Sequence, residues 1–189
     1  AEHAPNNAFA GFFTGLAFLL TDRFEKAEEW LETAALQPGR RNFRSMVYTS
    51  LGDTRYRLEK WEESKGAYDM ALRLDPENHG AMNNYAYHLA ERNERLDYAM
   101  ELSEKAVTAD PENTAYLDTL GWIYFKKGNY EEARRYIEKA AETGEADADV
   151  FEHLGDVYDA LGKPETAKTW WQKALNEDPD RRYLEEKIQ

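Results

Sequence analysis

The chain has 189 residues, with 37 Asp and Glu against 24 Lys and Arg, a formal charge of -13 and no cysteine. That balance repels nucleic acid and anionic membrane surfaces at long range and favours a neutral or basic partner. The missing thiols exclude disulfides, thiolate metal sites and cysteine nucleophiles, and an apolar content of 42% beside 32% charged residues describes a chain with a core to bury.

The first apolar stretch, Ala8 to Leu20, is broken by Gly11, Thr14 and Gly15 and is too short to cross a bilayer, so no direct membrane insertion is expected. The chain starts at Ala1 with neither an initiator Met nor a basic region ahead of that stretch, the form of a processed or truncated piece. Helical periodicity places two helices in 8–44, where Gly15, Ala27 and Ala34 correspond to Gly52, Ser64 and Ala71 in 45–78. In the same way Leu51-Gly52, Ser64, Ala71 and Pro76 correspond to Tyr85-Ala86, Ala99, Ala106 and Pro111 in 79–113, with one extra residue near Asn93 and Glu94. The clearest copy lies further on. Leu120-Gly121, Tyr124, Ala133 and Ala140 of 114–147 return as Leu154-Gly155, Tyr158, Ala167 and Ala174 of 148–181, each displaced by 34 residues.

Five repeats follow, 8–44, 45–78, 79–113, 114–147 and 148–181, preceded by a segment 1–7 and followed by a polar capping helix in 182–189. Each repeat reads as two helices around a short polar turn, such as Gly128-Asn129. Acids open the second helices and bases close them, in keeping with the helix dipole. Asp75-Pro76, Asp110-Pro111 and Asp178-Pro179 end them, because proline disfavours helical geometry in the residue before it. Gly or Ala at 52, 86, 121 and 155 is expected to face Ser or Ala at 64, 99, 133 and 167, letting paired helices approach closely.

This pattern of Leu-Gly, Tyr, Ala, Ala and Pro resembles the tetratricopeptide repeat family over nearly the whole chain. The run from Asn83 to Tyr87 and from Tyr116 to Trp122 is similar to multi-repeat members of bacterial envelopes, some of them lipid-anchored, which points to a periplasm-facing location over the cytoplasm. The resemblance implies an all-α, right-handed superhelical solenoid of five helix-turn-helix hairpins plus a short C-terminal capping helix. It implies a function in protein–protein interaction, with the first helix of each hairpin lining a concave groove.

On that basis the groove stripe reads Phe9, Phe12, Leu16 and Leu19; then Met46, Thr49, Asp53 and Tyr56; then Gly80, Asn83, Tyr87 and Ala90; then Ala115, Asp118, Trp122 and Phe125; and finally Asp149, Glu152, Asp156 and Asp159. It runs from apolar through aromatic to acidic, which suits a partner peptide or helix with an apolar and a basic end. Capture of a partner's terminal carboxylate is disfavoured, since no Lys or Arg stands beside Asn83. The four histidines, His3, His79, His88 and His153, form no metal-ligand spacing and read as surface or groove residues; no cofactor motif or active site is visible, so no enzymatic activity is expected.

The first helix carries a second apolar stripe through Phe13, Ala17 and Leu20, with Phe18 between the two. A helix apolar nearly all round is normally buried. Further N-terminal repeats or a second copy of the chain are the expected cover, ahead of a partner or the short segment 1–7. The alternative to an adaptor is therefore a self-assembly module, a homo-oligomer formed through the apolar first repeat.

Overall fold

A computed structural model describes residues 7–189. Residues 1–6, most of the expected N-terminal segment and including His3, lie outside the described residues. The helices, in chain order, are α1 (Ala8–Leu19), α2 (Phe24–Leu36), α3 (Arg41–Arg57), α4 (Trp61–Leu74), α5 (His79–Glu91), α6 (Leu96–Ala109), α7 (Thr114–Lys126), α8 (Tyr130–Glu142), α9 (Ala148–Ala160), α10 (Pro164–Glu177) and the short α11 (Leu184–Ile188). No strand occurs among the described residues. The chain forms two compact units, one ending at His88 and one running from Leu89 to Gln189.

Local chemistry sets the helix ends. The side chains of Asn7, Asn113 and Asp147 accept the first free backbone N–H groups of α1, α7 and α9, and Asn78 Oδ1 accepts from Ala81 N at 2.9 Å at the start of α5. The second helices α4, α8 and α10 lack such caps and open instead on Glu62 and Glu63, Glu131 and Glu132, and Glu165, whose charges suit the positive end of the helix. Asp75, Asp110 and Asp178 stop α4, α6 and α10, each followed by the proline that forbids another turn. After α8, where Glu145 stands instead of proline, Gly144 turns the chain with a left-handed φ of 84°.

Within each unit, paired helices meet at a small residue. A Cβ added to Gly15 would lie 2.6 Å from Leu31, and one added to Gly52 would lie 2.8 Å from the Tyr68 ring. In the C-terminal unit the corresponding distances are 2.4 Å from Gly121 to Ile137 and 2.2 Å from Gly155 to Trp171. The side chain that fills the groove over each glycine is thus the one sixteen residues on. The small residues twelve on sit beside this contact: Ser64 Oγ donates to Gly52 O at 2.8 Å, and the Ala133 carbonyl is 3.1 Å from the position of a Gly121 Cβ.

The N-terminal unit corrects the reading of the first helix. Gly11, Phe12 and Gly15 are the buried positions of α1, and Phe12 packs with Phe43, Leu31, Val47 and Leu51, with Leu16 and Leu19 half-buried against the same core. Phe12, Leu16 and Leu19 of the stripe expected to line a groove therefore face the core, while Phe13 at 63% and Leu20 at 84% exposure look outward. The two glycines decide this: Gly11 meets Ala34 and Gly15 meets Leu31, so the face around them is the one α2 can approach. Phe9 is 58% exposed and stacks on Phe43 with ring centroids 4.2 Å apart. In the C-terminal unit Leu117, Ile137, Val150, Leu154 and Val157 form one apolar cluster, and Phe151, Ala167, Trp171, Ala174 and Leu184 form another.

Candidate binding surface

In the N-terminal unit Asp53, on α3, ties three partners to one carboxylate. Asn84 Nδ2 donates to both of its oxygens at 3.1 and 3.2 Å, the Tyr68 hydroxyl donates to one, and His88 Nε2 lies 3.5 Å away. Burial, followed by the Asp53 charge, pushes the Tyr68 phenol well above its ordinary range, so that hydroxyl stays a donor. His88 in turn supports Tyr56, whose ring stacks on it at 3.7 Å and 18°. Tyr56 and Tyr87 are half-buried, while Asn83 is only 6% exposed and is not offered to a partner.

The C-terminal unit repeats the device with different residues. His153, on α9, donates from Nδ1 to the two Asp118 oxygens at 3.0 and 2.9 Å, with side chains only 9% and 10% exposed. Trp122 stacks on His153 at 4.0 Å and on Phe125 at 4.7 Å, and its indole N–H donates to Glu91 at 2.7 Å. Asp118 and Trp122 are thus buried structural residues, whereas Phe125 is half-exposed. His153 is no surface residue either. Burial pulls its imidazole pKa down, but the Asp118 carboxylate, with Asp149 and Glu91 further off, outweighs this and holds it above the usual value.

The acidic end of the stripe is occupied from within the same unit. Arg181 donates to Glu152 at 2.7 Å and Asp149 at 2.5 Å, the Tyr183 hydroxyl donates to Glu152 at 2.7 Å, and Lys187 donates to Asp156 at 2.6 Å. Trp171 Nε1 donates to the same Asp156 oxygen at 2.9 Å. Glu152 and Asp156 are therefore anchoring residues for the following segment, where the sequence reading has them open to a basic partner. Sequence spacing carries a signal for these ties. Asp53 and Asn84, Glu91 and Trp122, Glu152 and Tyr183, and Asp156 and Lys187 all lie 31 residues apart, and Asp53–His88 and Asp118–His153 both lie 35 apart.

Beside Trp171 a pocket of about 410 Å³ opens between Phe125, Asp156, Asp159 and Lys187. Among the described residues no three His, Asp or Glu side chains converge as metal ligands, and no helix is long and apolar enough to cross a membrane.

Paired antiparallel helices tied by side chains one repeat apart define a helical-repeat scaffold, and comparison with known proteins says which kind. Models of the tetratricopeptide repeat match residues 49–114 and 95–183. The TPR repeat-containing protein PA4667 of Pseudomonas aeruginosa is 31% identical over 140 residues, 71% of this chain, which spans 22% of that protein's length. Among solved structures, TTC0263, a thermophilic TPR protein in Thermus thermophilus, superposes with a TM-score of 0.78 at 16% identity, covering 96% of this chain and 97% of that one. YrrB, described as a TPR protein with an unusual peptide-binding site, has a TM-score of 0.62 at 19% identity, covering 95% and 90%. The chain belongs to the tetratricopeptide repeat family, whose members mediate protein–protein interaction.

Proposed function

We propose that the chain is an adaptor that holds a peptide or helix of a partner protein on the first helices of its hairpins. The observation that carries this reading is a pair of half-exposed rings, each held flat by a neighbour: Tyr56 on His88, and Phe125 on buried Trp122. A ring fixed before the partner arrives loses little freedom on binding, which is the property of an affinity anchor. The peptide-binding site named for YrrB, a protein of the same fold, supports the same use of the surface. Operation in a bacterial envelope, facing the periplasm, belongs to this reading, and the bacterial source of PA4667 supports its bacterial part.

Partner proteins recovered from an extract with the immobilised chain provide the test. Tyr56→Ala and Phe125→Ala should each weaken the interaction by about thirtyfold, the effect of losing one anchor worth about 2 kcal/mol. Recovery equal to wild type in both variants places binding elsewhere.

A second reading, self-association through the first repeat, is favoured by the outward face of Phe13 and Leu20 and by Leu36, 84% exposed. Phe13→Asp combined with Leu20→Asp leaves the core residue Phe12 untouched. If this face joins two copies, light scattering should show the variant monomeric while the wild type grows with concentration. A wild type that stays monomeric at every concentration rules the reading out.

A further inference from the structure

Two corners of the C-terminal unit bring an aromatic ring beside a carboxylate, and each is filled by a lysine of the chain itself. Lys126 Nζ lies 4.5 Å from the centre of the Trp122 ring and 3.4 Å from Glu91 Oε1. Lys187 Nζ lies 5.2 Å from the centre of the Trp171 ring and 2.6 Å from Asp156 Oδ1. The ring and the anion attract the same positive charge in both places. The same carboxylate also accepts the indole N–H, from Trp122 at 2.7 Å and from Trp171 at 2.9 Å, which ties ring to acid.

A third ring and carboxylate border the pocket of about 410 Å³ between α7, α9 and α10, and no cation holds them. Phe125 and Asp159 occupy the same place in consecutive repeats, four residues after Gly121 and Gly155. Trp122 covers one face of the Phe125 ring, which is otherwise half-exposed. Asp159 is exposed, and among the described residues its carboxylate has no ion-pair or hydrogen-bond partner. Two lysines line the pocket as well, but each is engaged: Lys187 by Asp156, and Lys168, whose Nζ donates to Gln189 O at 3.1 Å. Ala160 and Pro164 add apolar wall between the two ends.

We infer that this pocket receives an arginine side chain of the partner, with its guanidinium against the Phe125 ring and its charge on Asp159. The planar fork of arginine stacks on a ring and pairs with a carboxylate at once, and its methylene stem suits the apolar wall. A purely apolar side chain would take water from Asp159 and return nothing, and an acidic one would be repelled by it. The excess of acids over the whole chain draws a basic segment toward the surface in the first place. This inference rests on the adaptor reading, in which Phe125 is an anchor, and names what the partner brings to it.

The probe is N-acetyl-arginine methylamide, titrated at low ionic strength into the full chain while the ring protons of Phe125 are followed by NMR. Its uncharged isostere, N-acetyl-citrulline methylamide, provides the comparison. The arginine compound should shift the Phe125 signals saturably and bind at least about fivefold more tightly than the citrulline compound. Asp159→Asn should remove most of that difference. The substituted side chain is exposed and unpaired, so the variant should keep the wild-type circular dichroism spectrum. Equal binding of the two compounds overturns the proposal, as does the absence of saturation below about 50 mM. So does an Asp159→Asn protein that binds the arginine compound as well as wild type, or tighter binding of N-acetyl-glutamate methylamide, which would give the pocket to Lys168. The adaptor reading fails separately. Partner recovery unchanged by Phe125→Ala would sink it and leave the arginine titration as it is, whereas lost recovery beside a failed titration would keep the anchor and remove its arginine.

Discussion

Asp118→Ala should destabilise the C-terminal unit by about 3–5 kcal/mol, because it removes the carboxylate that accepts from the largely buried His153 Nδ1 and leaves that ring without its partner. The loss extends beyond one ion pair. His153 is the plate on which Trp122 stacks, and Trp122 positions Phe125, so Phe125 should also become less ordered. The same pair sets a pH dependence. Burial disfavours the charged imidazole, yet Asp118 more than compensates, and the folded-state pKa lies above the unfolded value. A raised pKa means that the folded chain binds the proton more tightly. The contribution is therefore fully present below about pH 6.5 and disappears as pH rises through the folded-state pKa. Urea unfolding followed by circular dichroism should show wild-type stability falling as pH rises above about 6.5, with this part of the slope missing in Asp118→Asn. An identical slope in the two proteins would show that the pair does not hold a proton.

Gly155→Ala should cost about 2 kcal/mol, although alanine is the better helix former. The added methyl would stand 2.2 Å from Trp171 Cδ1 and 2.3 Å from its Nε1. Trp171 cannot step aside cheaply: it is 5% exposed, and its indole N–H is committed to Asp156. Overpacking of this kind costs about 1–3 kcal/mol, to which the strained hydrogen bond adds about 1, while the gain in helix propensity returns about 1. Gly66 provides the control. It lies in mid-α4, exposed, with nothing within 4 Å of an added Cβ, so Gly66→Ala should stabilise the chain by about 0.5–1 kcal/mol. Thermal melts of the two variants should move in opposite directions. Movement in the same direction would mean that the Gly155–Trp171 contact is not tight.

The residues that the sequence identifies well are those whose role is set within one turn or by the repeat itself. Asp75, Asp110 and Asp178 end helices because each precedes a proline. The misreadings fall where a second helix had to be in place. Phe12 and Phe13 are adjacent phenylalanines on a helix apolar nearly all round, so neither stripe is marked as inward by its own composition. The approach of Leu31 and Ala34 to Gly15 and Gly11 is what buries the one and exposes the other.

The charged stripe differs from its sequence reading for an electrostatic reason. Asp118, Glu152 and Asp156 have the composition of a solvated or ligand-binding face, and a carboxylate in a sequence carries no mark of whether a cation waits for it inside the protein. Their partners, His153, Arg181 and Lys187, lie about one repeat further along the chain and come within reach only after α7, α9 and α11 stack. The family, the hairpins and their ends are legible in the order of residues alone, because period, small-residue spacing and Asp-Pro stops are local and repeat through the chain. Which acids remain for a partner is settled by the packed helices, because ion pairing depends on the distances between them, and packing sets those distances.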